Sequence, residues 1–244
     1  MASVSQAVIL VGGRGTRLGS LTESTPKPML PVGGRPFLEY VIAFLRRNEI
    51  ARVLFCISHL GEVICDHFGD GERFGLRIDY GVEPKPSGTG GALVLAADKL
   101  DETFFVLNGD TIFDVPLSQL TALLANHPTT RAAMALRQVD DVVRYGSVQL
   151  EGDLVTAFEE KGRQGAGLIN GGIYCLKREA LELLPAGTSS LERDLFPQLA
   201  ANRQLCAFAS DGYLIDIGVP EALARAQAEL PVRFAFTSAV PDVP

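Results

Sequence analysis

The chain has 244 residues, which is enough to bury a large core in one α/β domain or two small ones. Hydrophobic residues make up 47% and charged residues 21% of it, which excludes an intrinsically disordered chain. The net charge of −7 argues against a broad basic surface, and hence against nucleic acid as a partner, although a local basic cluster can still bind a small polyanion.

The N-terminus and the cysteines bear on location. No apolar run approaches the roughly 20 residues that span a bilayer, and the first six residues lack the charged region and cleavage pattern of a signal peptide. Three of the four scattered cysteines, Cys56, Cys175 and Cys206, lie in strand-like runs. We therefore expect a cytoplasmic protein with reduced core thiols and no membrane partner.

Strand-like and helix-like segments alternate over the first 139 residues. Aliphatic runs predict buried strands, and apolar residues at helical spacing predict helices. The predicted strands are 7–11, 52–57, 76–82, 103–110 and 131–139, and the predicted helices are 36–50, 61–71, 90–100 and 117–127. This order predicts a mostly parallel sheet with helices on both faces and a ligand site where the strands end.

The pattern changes after residue 140. The predicted elements there are short antiparallel strands within 145–161 and 167–177, helical stretches at 178–184 and 190–201, strands at 204–210 and 213–218, and a helix at 220–230. Without repeats or a low-complexity linker, we expect one unit over residues 1–230, in which about 5–140 and about 141–230 are two parts. Residues 231–244 are expected to be a loose tail, unless Phe234 and Phe236 dock it.

Residues 10–31 form an unusual loop that reads LVGGRGTRLGSLTESTPKPMLP. Its glycines let backbone N–H groups approach phosphate oxygens, and Arg14, Arg17 and Lys27 add fixed positive charge. Prolines on both sides of Lys27 stiffen its backbone. The loop therefore predicts a polyphosphate site, with a strand-to-helix turn that carries surface arginines as the alternative.

Two common phosphate-binding motifs are absent from this loop. Gly13 and Gly15 could begin a Gly-x-Gly-x-x-Gly dinucleotide motif, but the last position is Leu18 and the second strand does not end in an acid. The Gly-x-x-x-x-Gly-Lys-Ser/Thr form also fails, since Gly19 is followed by Ser20. A nicotinamide-dependent dehydrogenase is therefore disfavoured.

The loop and its continuation, VGGRPFLEYVI, resemble the signature of the sugar-1-phosphate nucleotidyltransferases. The resemblance covers roughly residues 5–230 and returns at EPKPSGTGGAL, VLNGDTIFD, YGSV, EEK, NGGIY and YLIDIGVPE. It implies a Rossmann-like nucleotidyltransferase fold of the α/β class, with a nucleotide-binding part and a small antiparallel sugar-binding lobe. It also implies an enzyme that joins a nucleoside triphosphate to a sugar 1-phosphate and releases pyrophosphate.

Within this family the chain is most similar to the guanylyltransferases for mannose-type sugars. That similarity implies GTP and a sugar 1-phosphate as partners, with a heptose of D-glycero-α-D-manno configuration expected first. Mannose 1-phosphate, or UTP, CTP or dTTP in place of GTP, are the enzymatic alternatives. An inactive subunit that senses nucleotide sugars is the non-enzymatic one, and a homo-oligomer stays open.

The resemblance implies roles for individual residues. Arg17 would neutralise the leaving pyrophosphate, and Lys27 would bridge the α-phosphate and the incoming sugar phosphate. Arg14 is equally compatible with a solvated role. Nucleotide contacts are predicted for Leu10, Gly12, Gly13, Gly15, Thr16, Glu83, Gly88, Thr89, Asn108 and Gly109, and sugar-phosphate contacts for Gly146, Glu160, Lys161, Asn170 and Gly172.

Several of these residues also allow a purely structural interpretation. The glycine-rich stretch 87–92 could simply open a helix, and Asn170 with its glycines could form a turn that binds nothing. Glu159 makes the position of the Glu160–Lys161 pair uncertain by one residue, and a run of charges is usually a solvated surface.

Two aspartates carry the prediction of a metal. Asp110 follows an apolar run at the ligand edge of the sheet, and Asp216 stands between Ile215 and Ile217, where we expect it to be buried. Two such carboxylates at one edge would repel each other unless a cation lay between them. Mg²⁺ suits this arrangement, because it binds through one or two carboxylates and takes further oxygens from water and phosphates. The alternative for Asp216 is a turn cap before Pro220.

Overall fold

The computed structural model describes residues 4–13, 15–143, 146–159 and 164–234. In these residues the strands are β1 (Gln6–Leu10), β2 (Pro31–Val32), β3 (Arg35–Pro36), β4 (Arg52–Ile57), β5 (Arg77–Val82), β6 (Thr103–Asn108), β7 (Thr111–Phe113), β8 (Ala132–Val139), β9 (Ser147–Glu151), β10 (Leu154–Glu159), β11 (Gly167–Lys177), β12 (Leu205–Ser210) and β13 (Leu214–Asp216). The α-helices are α1 (Phe37–Arg47), α2 (Gly61–Phe68), α3 (Gly88–Leu95), α4 (Ser118–Asn126), α5 (Phe196–Ala201) and α6 (Pro220–Arg233). None of these helices is long and apolar enough to cross a bilayer.

Nine strands form one continuous sheet, in the order β5-β4-β1-β6-β11-β8-β12-β10-β9. The first four are parallel to one another, and β8 is parallel to β12. Strand β11 is antiparallel to both of its neighbours β6 and β8, and β10 is antiparallel to β12 and β9. The predicted antiparallel segments after residue 140 therefore extend the parallel sheet.

Side chains on alternate positions of the central strands build a separate core on each face of the sheet. In β1, Ala7 and Ile9 point into the core under α1, α2, α4 and α6, whereas Val8 points into the core under α3 and α5. Both cores exclude water almost completely. This explains why β1 is a continuous aliphatic run, since a parallel strand covered on both faces needs apolar residues at every position.

Most predicted elements differ from the structure at their ends, and two of these differences concern the site and the C-terminus. Strand β6 ends at Asn108, and Gly109 and Asp110 form the turn that follows it. Helix α6 continues through Pro231 to Arg233, beyond the predicted end at residue 230. The chain then buries Phe234, whose ring lies edge-on to Tyr40 with centroids 6.1 Å apart. The predicted tail therefore begins too early, while Phe236 lies outside the described residues.

Candidate active site

A cavity of about 370 Å³ lies at the carboxyl ends of β1, β4, β5 and β6, where ligands bind in sheets of this type. Nine of the predicted site residues line it: Leu10, Gly12, Gly13, Lys27, Glu83, Gly88, Thr89, Asn108 and Asp110. They come from four separate parts of the sequence, so the fold brings together what the motifs only indicated one by one.

Lys27 is held at the cavity by the chain on both sides of it. It begins a 3-10 turn, Lys27–Met29, that follows Pro26, and its side chain is only 11% exposed. The Lys27 ammonium forms an ion pair with the carboxylate of Asp110. Gly15 does not line the cavity; it has a φ of 65°, and a Cβ there would lie 3.2 Å from the Lys27 Cβ. Gly15 therefore allows the glycine loop to pack closely against Lys27.

Asp216 reaches the same place through the small β7–β13 pair. Asp216 pairs with Thr111, and the Ile217 N–H donates to the carbonyl oxygen of Asp110 at 3.0 Å. The side chain is not buried as predicted: in the alternation of an extended strand Ile215 and Ile217 point into the core, and Asp216 points the other way, toward solvent.

The surroundings of Asp216 nonetheless disfavour its charge. Partial desolvation by neighbouring protein raises the pKa of this carboxyl, and the negative charge of Asp110 raises it further. A hydrogen bond of 2.7 Å from the Gly218 N–H and the charges of Lys27 and Arg17 act in the opposite direction without cancelling the shift. Asp110 and Asp216 are therefore close enough to repel each other, as the prediction of a shared cation requires.

Arg17 completes this group of charges; it is exposed and lies in the 3-10 segment Thr16–Thr22. Its guanidinium lies beside Gly218, where a Cβ would be 2.9 Å from the Arg17 Nη2 atom. Thr16 is exposed in the same segment and does not line the cavity. The structure thus brings together two cations and two carboxylates that the sequence places in three distant motifs.

The two carboxylates fit a magnesium ion better than a site made wholly of protein ligands. Among the residues that the structure describes, no group of three or more His, Cys, Asp or Glu side chains could hold a metal. Mg²⁺ characteristically binds through one or two carboxylates and takes its remaining oxygens from water and substrate phosphates. The donor set of Asp110 and Asp216 is of this kind.

Glu83 also lines the cavity, directly after β5, and is 8% exposed. Its Oε2 atom accepts hydrogen bonds from the Ser87 N–H at 2.9 Å and from the Ser87 hydroxyl. A Cβ on Gly12 would lie 2.7 Å from the Glu83 Oε1 atom. Gly12 is therefore required by the neighbouring carboxylate, in addition to any contact with phosphate.

Two further predicted nucleotide-binding glycines have a packing role. Gly88 has a φ of 79°, and a Cβ there would lie 2.3 Å from the Ser189 carbonyl oxygen, which also accepts a hydrogen bond from the Gly90 N–H. Gly109 packs under β1, where a Cβ would lie 2.4 Å from Val11, and it does not line the cavity. The structural interpretation of the stretch 87–92 is thus partly correct, although Gly88 and Thr89 also face the cavity.

Asn170 and Gly172 lie in a bulge of β11 beside the cavity wall. The Asn170 amide donates to the Tyr174 hydroxyl at 2.8 Å and accepts from the Gly172 N–H at 2.9 Å. Gly172 has a φ of 74°, and a Cβ there would lie 2.9 Å from the Asn108 amide nitrogen. Burial raises the pKa of the Tyr174 hydroxyl far above its usual range. The predicted sugar-binding residues thus adjoin the cavity through Asn108.

Of the remaining predicted residues, the structure describes Gly146, at the β9–β10 hairpin. Gly146 precedes β9, where a Cβ would lie 2.9 Å from the Glu159 carbonyl oxygen. The Glu159 carboxylate accepts hydrogen bonds from Ser147 and Gln149. Glu160 and Lys161 lie outside the described residues, as does Arg14, so their predicted roles stay predictions.

This arrangement matches a known family. The profile of the family described as "Nucleotidyl transferase" matches residues 6–232. The chain belongs to this family. A curated D-glycero-alpha-D-manno-heptose 1-phosphate guanylyltransferase from Campylobacter jejuni is 40% identical over 217 residues, which cover 88% of this chain and 96% of that one. The family resemblance found in the motifs is thereby confirmed.

Two further nucleotidyltransferase relatives differ in how much of their length they share. A mannose-1-phosphate guanylyltransferase from Mycobacterium tuberculosis is 39% identical over 232 residues, but this chain spans only 64% of it. The crystal structure of HddC from Yersinia pseudotuberculosis complexed with GMP-PN has a TM-score of 0.80 and 33% identity, and the match covers 92% of this chain and 98% of that one. The predicted α/β fold is confirmed by this similarity.

One charged residue of the nucleotidyltransferase cavity is missing from the sequence predictions. Glu192 lines the cavity beside Thr89, whose hydroxyl donates to it at 2.9 Å, although 103 residues separate the two. It lies in a π-helical turn, Leu191–Leu195, that the sequence pattern places inside a predicted helical stretch. Nothing in that local pattern distinguishes Glu192 from a solvent-facing acid, because its neighbours in the cavity come from elsewhere in the chain.

Proposed function

We propose that this chain transfers GMP from GTP to a sugar 1-phosphate and releases pyrophosphate. The observation that carries the proposal is the meeting of Lys27, Arg17, Asp110 and Asp216 beside a cavity that Lys27, Asp110 and Glu83 line. The group of four has the charges that a reacting triphosphate needs, and Glu83 can select a base. The named activities of the relatives support the same reaction.

The acceptor proposed first is D-glycero-α-D-manno-heptose 1-phosphate. In support, this chain covers 96% of the heptose enzyme from Campylobacter jejuni but only 64% of the mannose enzyme from Mycobacterium tuberculosis, at nearly equal identity. Mannose 1-phosphate is the second candidate. Contacts to the sugar phosphate are proposed for Glu160 and Lys161, together with Gly146, Asn170 and Gly172.

In the proposed reaction, an oxygen of the sugar phosphate attacks the α-phosphorus in line, and pyrophosphate leaves. Such catalysis consists mainly of positioning and of stabilising the charge that builds on the phosphoryl oxygens. The Lys27 ammonium is largely removed from solvent and fixed by its neighbours, so it needs little reorganisation to meet that charge. Arg17, which is exposed, would neutralise the departing pyrophosphate.

We propose that Asp110 and Asp216 hold Mg²⁺, which when bound would neutralise phosphate charge. The two carboxylates also have a role without the metal, because their negative charges attract the side chains of Lys27 and Arg17. We further propose a cytoplasmic location, in keeping with the four cysteines, which are all free and of which Cys56, Cys175 and Cys206 are buried.

Glu83 supports guanine as the base. A carboxylate can only accept hydrogen bonds, and the Watson–Crick edge of guanine presents two adjacent donors, N1–H and N2–H. Adenine, uracil, thymine and cytosine do not present such a pair. Since Ser87 already fixes the Oε2 atom of Glu83, the carboxylate is oriented before any base arrives.

Pyrophosphate release over a matrix of four nucleoside triphosphates and several sugar 1-phosphates tests this proposal. The expected result is the highest kcat/KM with GTP and the heptose 1-phosphate, and release at least about a hundredfold slower by Lys27→Met. Faster turnover with UTP, CTP or dTTP would contradict the assignment of the base. Binding of a nucleotide sugar without any pyrophosphate release would favour an inactive sensing subunit.

A further inference from the structure

We propose that Glu192 accepts hydrogen bonds from two neighbouring hydroxyl groups of the substrate, and so recognises a diol. This inference rests on the proposed function and extends it to a residue that no motif identified. Glu192 lines the cavity from the segment that follows Ser189, whose carbonyl oxygen accepts hydrogen bonds from the Gly90 and Gly91 N–H groups.

The charges of the cavity show why such a role is needed. Among the described residues that line it, three are carboxylates (Glu83, Asp110 and Glu192) and one is a lysine, Lys27. A polyphosphate would be repelled by each carboxylate that faces it. Asp110 is paired with Lys27, and Glu83 is bound by Ser87 at the end proposed for the base. Glu192 is left to face an uncharged part of the substrate that carries hydrogen-bond donors.

Hydrogen bonds to one carboxylate oxygen hold the Glu192 side chain in one orientation. Its Oε2 atom accepts from the Thr89 hydroxyl at 2.9 Å and from the Ser190 hydroxyl at 2.8 Å. The Thr89 oxygen in turn accepts from the Leu191 N–H at 2.8 Å. Within the described chain, Oε1 has no hydrogen-bond partner and no cation pairs with Glu192. One carboxylate oxygen is thus fixed, and the other is available to substrate.

The neighbours of Glu192 point to the hydroxyl-bearing end of the substrate. Asn108 lines the same cavity and touches Gly172, while Tyr174 receives a hydrogen bond from Asn170. The charge of Glu192 also contributes, after burial, to the raised pKa of Tyr174, so the two side chains are near each other. A sugar 1-phosphate placed against Asn170 would carry its hydroxyls toward Glu192. The ribose of the nucleotide is the second source of the same chemistry.

Steady-state kinetics of Glu192→Gln and Glu192→Ala test the proposal, with the nucleotide and sugar 1-phosphate that the wild-type chain turns over best. Loss of a hydrogen bond to a charged acceptor should raise one KM about ten- to hundredfold. A rise confined to the sugar 1-phosphate supports the proposal with the sugar as the source of the diol. A rise confined to GTP, absent with 2′-deoxy-GTP, supports it with the ribose as the source.

Two results would overturn the diol assignment. One is an unchanged KM for both substrates in both variants. The other is a fall in kcat and a rise in both KM values by the same factor, together with a lowered thermal midpoint. That result would mean that Glu192 has only a structural role, as the acceptor of hydrogen bonds from Thr89 and Ser190. Glu179→Gln, an exposed acid on the preceding 3-10 segment, is the matched control and should leave all values unchanged.

Failure of the proposed function is distinguishable from failure of this inference. If the wild-type chain releases no pyrophosphate with any pair, titration calorimetry with GDP-mannose, GDP and 2′-deoxy-GDP still decides the role of Glu192. A loss of affinity in Glu192→Gln that depends on the sugar or on the 2′-hydroxyl supports the inference. Equal affinities for wild type and variant, including no measurable binding by either, would contradict it.

Discussion

The Lys27 ammonium contacts the Asp110 carboxylate, although 83 residues of sequence separate the two. Lys27 follows the glycine loop and Asp110 follows β6, so the pair ties the loop to the end of the sheet. Asp216 and Arg17 lie close to the same pair and share its field. Each charge in this group therefore depends on the others, and removing one should affect both the chemistry and the stability of the site.

Lys27→Met should lower kcat at least about a hundredfold, because a preorganised cation at the reacting phosphate supplies several kcal/mol of transition-state stabilisation. The same change leaves Asp110 without its partner beside Asp216, so the thermal midpoint in EDTA should fall as well. Turnover and thermal unfolding measure the two effects. Lys99→Met, on an exposed 3-10 turn, is the control. Near-normal kcat in Lys27→Met would reduce Lys27 to a surface residue.

Much of the fold could be predicted from local patterns, because strands buried on both faces must be continuously apolar, as β1 and β4 are. The position of β11 between β6 and β8 could not, since its pairing with β6 spans more than 60 residues. The glycines show a second limit. The sequence predicts ligand contacts for Gly12, Gly88 and Gly109, yet each also makes room for a neighbour that only the fold supplies.

The candidate site shows the same division. Motifs could identify Lys27, Asp110 and Glu83, because each stands beside glycines, prolines or a buried strand with a recognisable pattern. The exposure of Asp216 could have been predicted, because apolar Ile215 and Ile217 on both sides of it in a strand place Asp216 on the face away from the core. Motifs could not identify Glu192, because its hydrogen-bond partner Thr89 is 103 residues away in the sequence.

Asp110→Asn and Asp216→Asn should each abolish most activity while leaving the fold intact. EDTA should abolish wild-type activity and Mg²⁺ should restore it, since two carboxylates suit this ion. The shared-metal proposal would fail if a structure with nucleotide sugar and metal placed the two carboxylates more than about 8 Å apart, because each ligand oxygen lies about 2.0–2.1 Å from Mg²⁺.

The stability of the Asp216 variant provides a separate check on the same pair. The pKa of Asp216 is raised, so ionising this carboxyl costs the fold free energy at neutral pH, to an extent reduced by its exposure. In EDTA at pH 7, Asp216→Asn should therefore have a slightly higher thermal midpoint than wild type, although it is inactive. Asp211→Asn, also exposed, should change neither property. A lowered midpoint for Asp216→Asn would mean that Asp216 is a structural turn residue.

Glu83→Gln should weaken the preference for GTP over the other nucleotides. The glutamine amide replaces an acceptor by a donor, so it would face a donor of guanine instead of accepting from it. We expect kcat/KM for GTP to fall about ten- to hundredfold, with little change for ATP or UTP. Glu62→Gln on the exposed side of α2 is the control. An unaltered ratio of GTP to other nucleotides would remove Glu83 from base selection.

Gly88→Ala should impair GTP binding and stability by more than the cost of placing alanine at a positive φ. At Gly88 a Cβ would lie 2.3 Å from the Ser189 carbonyl oxygen, in addition to the cost of a φ of 79°. At Gly152, φ is 60° and no atom lies within 4 Å of the added Cβ, so Gly152→Ala isolates the conformational cost of about 1–2 kcal/mol. Gly88→Ala should raise the KM for GTP and lower the thermal midpoint further than the control. Equal effects of the two substitutions would show that the contact with Ser189 can relax freely.

The buried carboxylate of Glu39, far from the cavity, should make stability depend on acid pH. Glu39 accepts from His67 Nε2 at 2.8 Å and from Arg35 Nη1 at 3.2 Å, and its side chain is only 7% exposed. Burial alone would raise its pKa, but the hydrogen bonds and charges of His67 and Arg35 outweigh burial and lower the pKa below the ordinary value of 4.5.

Because the folded-state pKa of Glu39 is the lower one, the unfolded chain binds the proton more readily. The stabilisation is therefore complete above about pH 5 and is lost as the pH falls through the ordinary range of a glutamate and below it. Urea unfolding of wild type and Glu39→Gln between pH 3 and 7 measures this. The variant should be less stable by about 1–3 kcal/mol at pH 7 and should approach the wild type near pH 3. A difference that stays constant over the whole range would mean that Glu39 acts through packing rather than through its charge.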